Sequence, residues 1–192
     1  MKNKKKVLFI ITRLTIGGVA AHLIQTAKYL EDNGYQCLIM TGSIEENDLE
    51  MIRFHNDYTI KPLYLKELQR VINPFKDLIA ILKLNKEIKK IKPDIVHTHT
   101  MKAGLVGRIS AWICHVPQIY HTYHGLNFEG YFGKILSFVS IYIEKIMAKL
   151  STKLISLSPL LTKELLKHKI CKADKIVNIP LGFDFVLPQS PK

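Results

Sequence analysis

The sequence predicts a single α/β domain: a mostly parallel sheet, flanked by helices, in one Rossmann-like unit. Short β-branched apolar runs alternate about six times with helix-period segments. The connections between them are short, as right-handed βα units require. The unusual residues (paired glycines and clustered histidines) follow the strand-type runs, where such sheets bind ligands. Val7–Thr12 reads as the first strand, and Gly17-Gly18 closes its loop. Ala20, Leu23, Ile24, Ala27 and Leu30 then recur at helical spacing, and Asn33-Gly34 supplies the stop. Gln36–Thr41 is a second strand. The acidic stretch 43–57 reads as a loop or short helix, and Tyr58–Leu63 as a third strand. Asn73-Pro74 combines an N-cap side chain with proline at the first helical position. Phe75, Leu78, Ile79, Leu82, Ile88 and Ile91 give the expected apolar face of that helix, and Pro93 follows it. Asp94–His97 is a strand, residues 102–114 a helix, Pro117–Thr122 a strand and Tyr131–Leu150 a longer amphipathic helix. Lys153–Leu157, the helix opened by Ser158-Pro159, and Lys175–Ile179 complete the alternation.

Composition narrows the class of protein. The 192 residues carry 28 Lys+Arg against 16 Asp+Glu, a net charge of +12. A hydrophobic share of 47% is that of a globular chain and excludes a disordered one. No stretch is long and apolar enough for a membrane-spanning helix, and the run Val7–Ile11 is too short for a signal-peptide core. Cys37, Cys114 and Cys171 have neither paired nor metal-type spacing, so no disulfide framework is expected. A cytoplasmic chain, soluble or peripheral at the membrane face, is the expectation. Segment 31–58 is acidic, whereas segments 59–92 and 134–175 each carry nine bases and three acids. That surplus suits phosphates or acidic lipid headgroups. No nucleic-acid recognition motif accompanies it, and no nucleic-acid partner is expected.

Three loops carry the candidate chemistry. In Arg13–Gly18 the paired glycines allow close backbone approach to an anion at a helix N-terminus; a tight structural turn is the competing explanation. In His97-Thr-His-Thr-Met-Lys102, His97 and His99 share one face of an extended chain. Lys102 opposes the dipole of the helix that it opens, which suggests a bound anion. Gly104 and Gly107, with Ala103 and Ala111, form a small-residue face for close packing. Tyr120-His-Thr-Tyr-His-Gly125 brings His121 and His124 to the same edge. Such histidines hydrogen-bond sugar hydroxyls or act as general bases, unless backbone carbonyls satisfy them in the core. H-x-H with H-x-x-H also raises a metal site, but only Glu129 is nearby to complete one, and none is expected.

These motifs resemble family 4 retaining glycosyltransferases, which have the two-domain GT-B architecture. The resemblance runs from about residue 5 to 186 through four segments in register: K-V-L-F-I-I-T-R-L-T-I-G-G at Lys6–Gly18, P-D-I-V-H-T-H-T-M-K-A-G-L-V-G-R at Pro93–Arg108, H-T-Y-H-G-L-N-F-E-G-Y-F at His121–Phe132, and I-P-L-G-F-D at Ile179–Asp184. Leu181 stands where many members have Asn, and Leu126 and Asn127 replace an expected histidine and apolar residue.

The resemblance implies the N-terminal, acceptor-side domain over 1–186, with 187–192 the start of an interdomain linker and the donor-binding domain absent. It implies transfer of a sugar from a UDP- or GDP-linked donor to a saccharide or lipid-linked acceptor in cell-surface glycan synthesis. No cofactor is called for, and the isolated chain is expected to be inactive without a second chain supplying the donor half. Gly17, Gly18 and Arg13 would face the donor diphosphate. His124 would be the catalytic or sugar-contacting residue, and His97, Thr98, His99 and Lys102 would line the acceptor side. An anionic membrane surface would give the basic helices a use. The alternative is a non-catalytic module that binds anionic lipid or saccharide.

Overall fold

The computed structural model describes residues 4–15, 17–42, 62–71, 73–125 and 134–182. Among them seven strands form one parallel sheet in the order β3-β2-β1-β4-β5-β6-β7. The strands are β1 (Lys6–Ile11), β2 (Gln36–Thr41), β3 (Leu63–Tyr64), β4 (Ile95–His99), β5 (Gln118–Tyr123), β6 (Lys153–Ser156) and β7 (Ile176–Asn178). Five helices flank them: α1 (Gly18–Asp32), α2 (Pro74–Ile91), α3 (Met101–Ile113), α4 (Lys134–Leu150) and α5 (Pro159–Lys167). The chain runs outward from β1 to β3, then returns to pair β4 on the other side of β1. This reversal opens a crevice beyond the carboxyl ends of β1 and β4, where open α/β sheets bind ligands.

Alternation along β1 supplies two cores. Val7, Phe9 and Ile11 pack with Ala20, Leu23, Ile24 and Ala27 of α1 on one face. Leu8 and Ile10 pack on the other with Ala80, Leu84 and Ile88 of α2 and Ala103, Val106 and Ala111 of α3. The predicted punctuation holds. The side chains of Asn73 and Ser158 accept from the amides of Lys76 and Leu161, both at 3.1 Å, capping α2 and α5. Gly34, with φ of 87°, follows α1 in the left-handed region that glycine adopts without strain. A Cβ on Gly107 would stand 2.6 Å from Cγ2 of Thr98, which accounts for the small-residue face of α3.

Two expectations change. The described part of the third strand is only Leu63–Tyr64; residues 58–61 and the acidic stretch 43–57 lie outside the described residues. The apolar face expected for α2 is also wrong in part. Ala80, Leu84 and Ile88, four residues apart, face the sheet, and Asp77 is drawn in beside them. Phe75, Leu78, Ile79 and Leu82 instead face solvent, Phe75 with 81% of its surface exposed. Too many apolar residues crowd this helix for one stripe, so the second forms an outer patch.

Candidate functional site

The site forms where β1, β4 and β5 end side by side, with Phe9 opposite His97 and His99 opposite Thr122 in register. After β1 the chain passes through Thr12 and Arg13 to Gly17, the N-cap of α1. Gly17 is exposed and extended, no side chain caps the helix, and its first turn holds no acidic residue. The first intrahelical bond joins the Ala21 amide to the Gly17 carbonyl. The amides before Ala21 therefore have no acceptor within the helix. A Cβ at Gly17 would meet nothing within 4 Å, so a ligand can come close to the backbone here. Beside it, Oγ1 of Thr12 lies 3.0 Å from Oγ1 of Thr100. Thr100 begins α3 at φ 65°, a conformation that costs a β-branched residue roughly 1–3 kcal/mol.

The histidines divide between the two faces of the sheet. His97 and His99 point toward α1, with ring centroids 4.4 Å apart, and Phe9 packs beside both. Nε2 of His97 lies 2.7 Å from the Thr122 hydroxyl. Nδ1 of His99 lies 2.9 Å from Nε2 of His124, one ring donating to the other. His22, one turn into α1, stands edge-on to both, 6.2 Å from His99 and 5.7 Å from His124 between centroids. Burial, reinforced by neighbouring imidazoles, pushes the pKa of His97 down to about 3 and that of His124 to about 4. Burial also drives His99 well below its ordinary value and lowers His22. The cluster is uncharged at neutral pH and can exchange hydrogen bonds with uncharged hydroxyl groups.

Not every predicted site residue reaches this mouth. Gly17, Gly18 and Arg13 follow β1 there, half-buried His124 reaches it, and His99 lies fully buried behind His124. His97 lies fully in the core behind His99, where it supports the neighbouring ring. Thr98 was expected on the acceptor side but points to the opposite face, buried, with its hydroxyl 2.8 Å from Nδ1 of His121 and donating to the Tyr120 carbonyl. Lys102 needs no external anion. Its ammonium is buried 2.6 Å from Asp77 of α2 and donates to the Val71 carbonyl. The charge opposing the helix dipole is thus neutralised within the fold.

The sequence motif around α3 therefore mixes two tasks. Its histidines pack beneath His124 on the α1 side of the sheet, whereas its cations fasten helices together. Arg108 is fully buried, and its Nη2 donates to both carboxylate oxygens of Glu144 on α4, at 2.9 and 3.0 Å. The Tyr123 hydroxyl donates to the same carboxylate at 2.7 Å, and Nε of Arg108 donates to the Gly104 carbonyl. Sequence reading missed Asp77, Glu144 and His22. Glu144 is a lone acid within a basic helix, a detectable signal, and Asp77 stands in the first turn of another. For His22 the only hint was its place one turn beyond Gly18.

The His99–His124 pair, packed beside His22 of α1, thus lies at the switch point of a parallel sheet, the position where such folds bind ligands. The sequence model of Glycosyltransferase Family 4 matches residues 16–186, and the chain belongs to that family. It is 37% identical over 128 residues to the Escherichia coli UDP-Gal:alpha-D-GlcNAc-diphosphoundecaprenol alpha-1,3-galactosyltransferase, covering 67% of this chain and 33% of that protein. It is 35% identical over 115 residues to the Staphylococcus aureus capsular polysaccharide biosynthesis glycosyltransferase CapM, covering 60% and 30%. The crystal structure of a glycosyltransferase from Rickettsia africae superposes with a TM-score of 0.69 at 25% identity, covering 94% of this chain and 44% of that one. The matched stretches thus span about a third of the length of these curated relatives.

Proposed function

We propose that this domain forms the acceptor side of a glycosyltransferase that moves a sugar from a UDP- or GDP-linked donor to a saccharide or lipid-linked acceptor in cell-surface glycan synthesis. The observation that carries this reading is the His99–His124 pair opposite the open N-terminus of α1. The α1 amides and Arg13 offer hydrogen bonds and positive potential to a diphosphate, whereas the uncharged His124 suits a sugar hydroxyl. His99 engages Nε2 of His124 and holds the ring, leaving Nδ1 for the ligand. The names of the two curated relatives, a transferase acting on a diphosphoundecaprenol-linked sugar and a capsule enzyme, support the choice of acceptor class. The chemistry requires no cofactor beyond the donor itself. In an enzyme reconstituted with a donor-binding half, replacing His124 by Ala should lower kcat/KM about 10- to 100-fold, the cost of one unmade hydrogen bond at a desolvated site. Sugar-transfer assays with UDP- and GDP-sugars and polyprenyl-diphosphate saccharides check this, alongside the melting temperature. An unchanged rate would count against it.

A lipid-linked acceptor would be met at the membrane face. No helix among the described residues is long and apolar enough to cross a membrane. The exposed Phe75, Leu78, Ile79 and Leu82 of α2 lie among lysines, as do exposed Phe138, Val139 and Tyr142 of α4. Lys145, Lys149, Lys153, Lys169, Lys172 and Lys175 surround a groove of about 850 Å³ beside α4. Apolar residues framed by cations suit shallow insertion among anionic headgroups. Co-sedimentation with anionic vesicles should fall as salt rises, and Phe75→Ser should weaken it. Equal binding to neutral vesicles would contradict an electrostatic contact.

A further inference from the structure

The three histidines at the crevice have a second property, independent of sugar transfer. His22, His99 and His124 come from α1, β4 and the end of β5, and each offers one ring nitrogen within 4.8 Å of the other two. Tetrahedral coordination at Zn–N of about 2.0–2.1 Å places ligand nitrogens about 3.3 Å apart. The His99–His124 separation is already 2.9 Å, so small side-chain rotations would bring the set to that spacing. Nδ1 of His22 is buried without a hydrogen-bond partner. A buried lone pair or N–H left unmatched is costly, and a metal ion is one way to use it. Sequence spacing pointed away from metal because only Glu129 stood near the histidines of β4 and β5 to complete a site. The third donor comes from α1, and His97 and His121 are committed to threonine hydroxyls instead.

We propose that His22, His99 and His124 form a binding site for one transition-metal ion of the imidazole-preferring class, Zn²⁺ being the representative. The donor set contains only neutral nitrogens. It favours Zn²⁺, Cu²⁺, Ni²⁺ or Co²⁺ over Mg²⁺ and Ca²⁺, which require oxygen ligands. His22 and His124 are half-buried, which leaves the ion a route from solvent.

The test is calorimetric titration of the chain with Zn²⁺, paralleled by visible absorption with Co²⁺. One ion should bind per chain with micromolar or tighter affinity, and Mg²⁺ should not bind measurably. His22→Gln and His124→Gln should each weaken Zn²⁺ binding by at least about 10-fold. His115→Gln, an exposed histidine elsewhere, should leave it unchanged. Long-range proton–nitrogen spectra of the wild-type protein give a readout that needs no variant: Zn²⁺ should shift the ring nitrogens of His22, His99 and His124 together. No saturable binding, equal binding of Mg²⁺, shifts confined to other histidines, or insensitivity to both cluster variants would overturn the site. None of these readouts depends on transferase activity.

Discussion

Replacing Glu144 by Leu should destabilise the domain by about 3–5 kcal/mol, the usual cost of leaving one partner of a buried ion pair without its counter-charge. Arg108 lies wholly inside the protein, Glu144 is almost as buried, and both carboxylate oxygens accept from the guanidinium. The substitution also strips the Tyr123 hydroxyl of its acceptor. For a domain of this size the melting temperature should fall by about 10 °C. The triple change Arg108→Met, Glu144→Leu, Tyr123→Phe should recover most of that loss, because no buried charge or hydroxyl is then left unmatched. Thermal unfolding of the wild type, the single variant and the triple variant measures both steps. A single variant as stable as the wild type would contradict the role assigned to the pair.

The second large effect is on acid stability. Unfolded histidine titrates near 6.5, whereas native His97 and His124 titrate at about 3 and about 4. Between these values the unfolded chain binds more protons than the native one, so stability rises with pH across the window. The contribution is complete above the unfolded value and is lost as pH falls below it. From pH 7 to 5 each of the two histidines should cost about 2 kcal/mol, and His99 and His121, both held well below their ordinary values, act in the same direction. Urea unfolding at several pH values should show stability falling steeply below pH 6.5. His97→Gln should reduce the slope by about 1.4 kcal/mol per pH unit. A flat profile between pH 7 and 5 would show that the histidines are not held neutral by the fold.

Both effects belong to residues whose partners lie far along the chain, and this marks what could be read beforehand. Strand and helix order followed from local signals: Gly34 after α1, Asn73-Pro74 and Ser158-Pro159 as helix starts, and alternating apolar residues in β1. The mouth was legible because a parallel sheet aligns its carboxyl ends, so Gly17, His99 and His124 had to meet near one edge. Which face each neighbour takes depends on pleat and register. Thr98, between two inward-facing histidines, was therefore assigned to a side that it does not occupy. Lys102 looked uncompensated because Asp77 lies 25 residues earlier, in a helix whose apolar pattern suggested another orientation. His22 was hidden for a related reason. Helical periodicity identifies the apolar stripe of α1 but says nothing of what stands across the crevice.

In the proposed function, the crevice between α1 and the ends of β4 and β5 receives the sugar and diphosphate. Titrating isotope-labelled protein with a soluble, short-chain polyprenyl-diphosphate sugar tests it most directly by nuclear magnetic resonance. The amides of Gly17 and Gly18 and the ring signals of His99 and His124 should shift together and saturate at one ligand per chain. Shifts confined to the lysine-lined groove beside α4, with the crevice unperturbed, would contradict it.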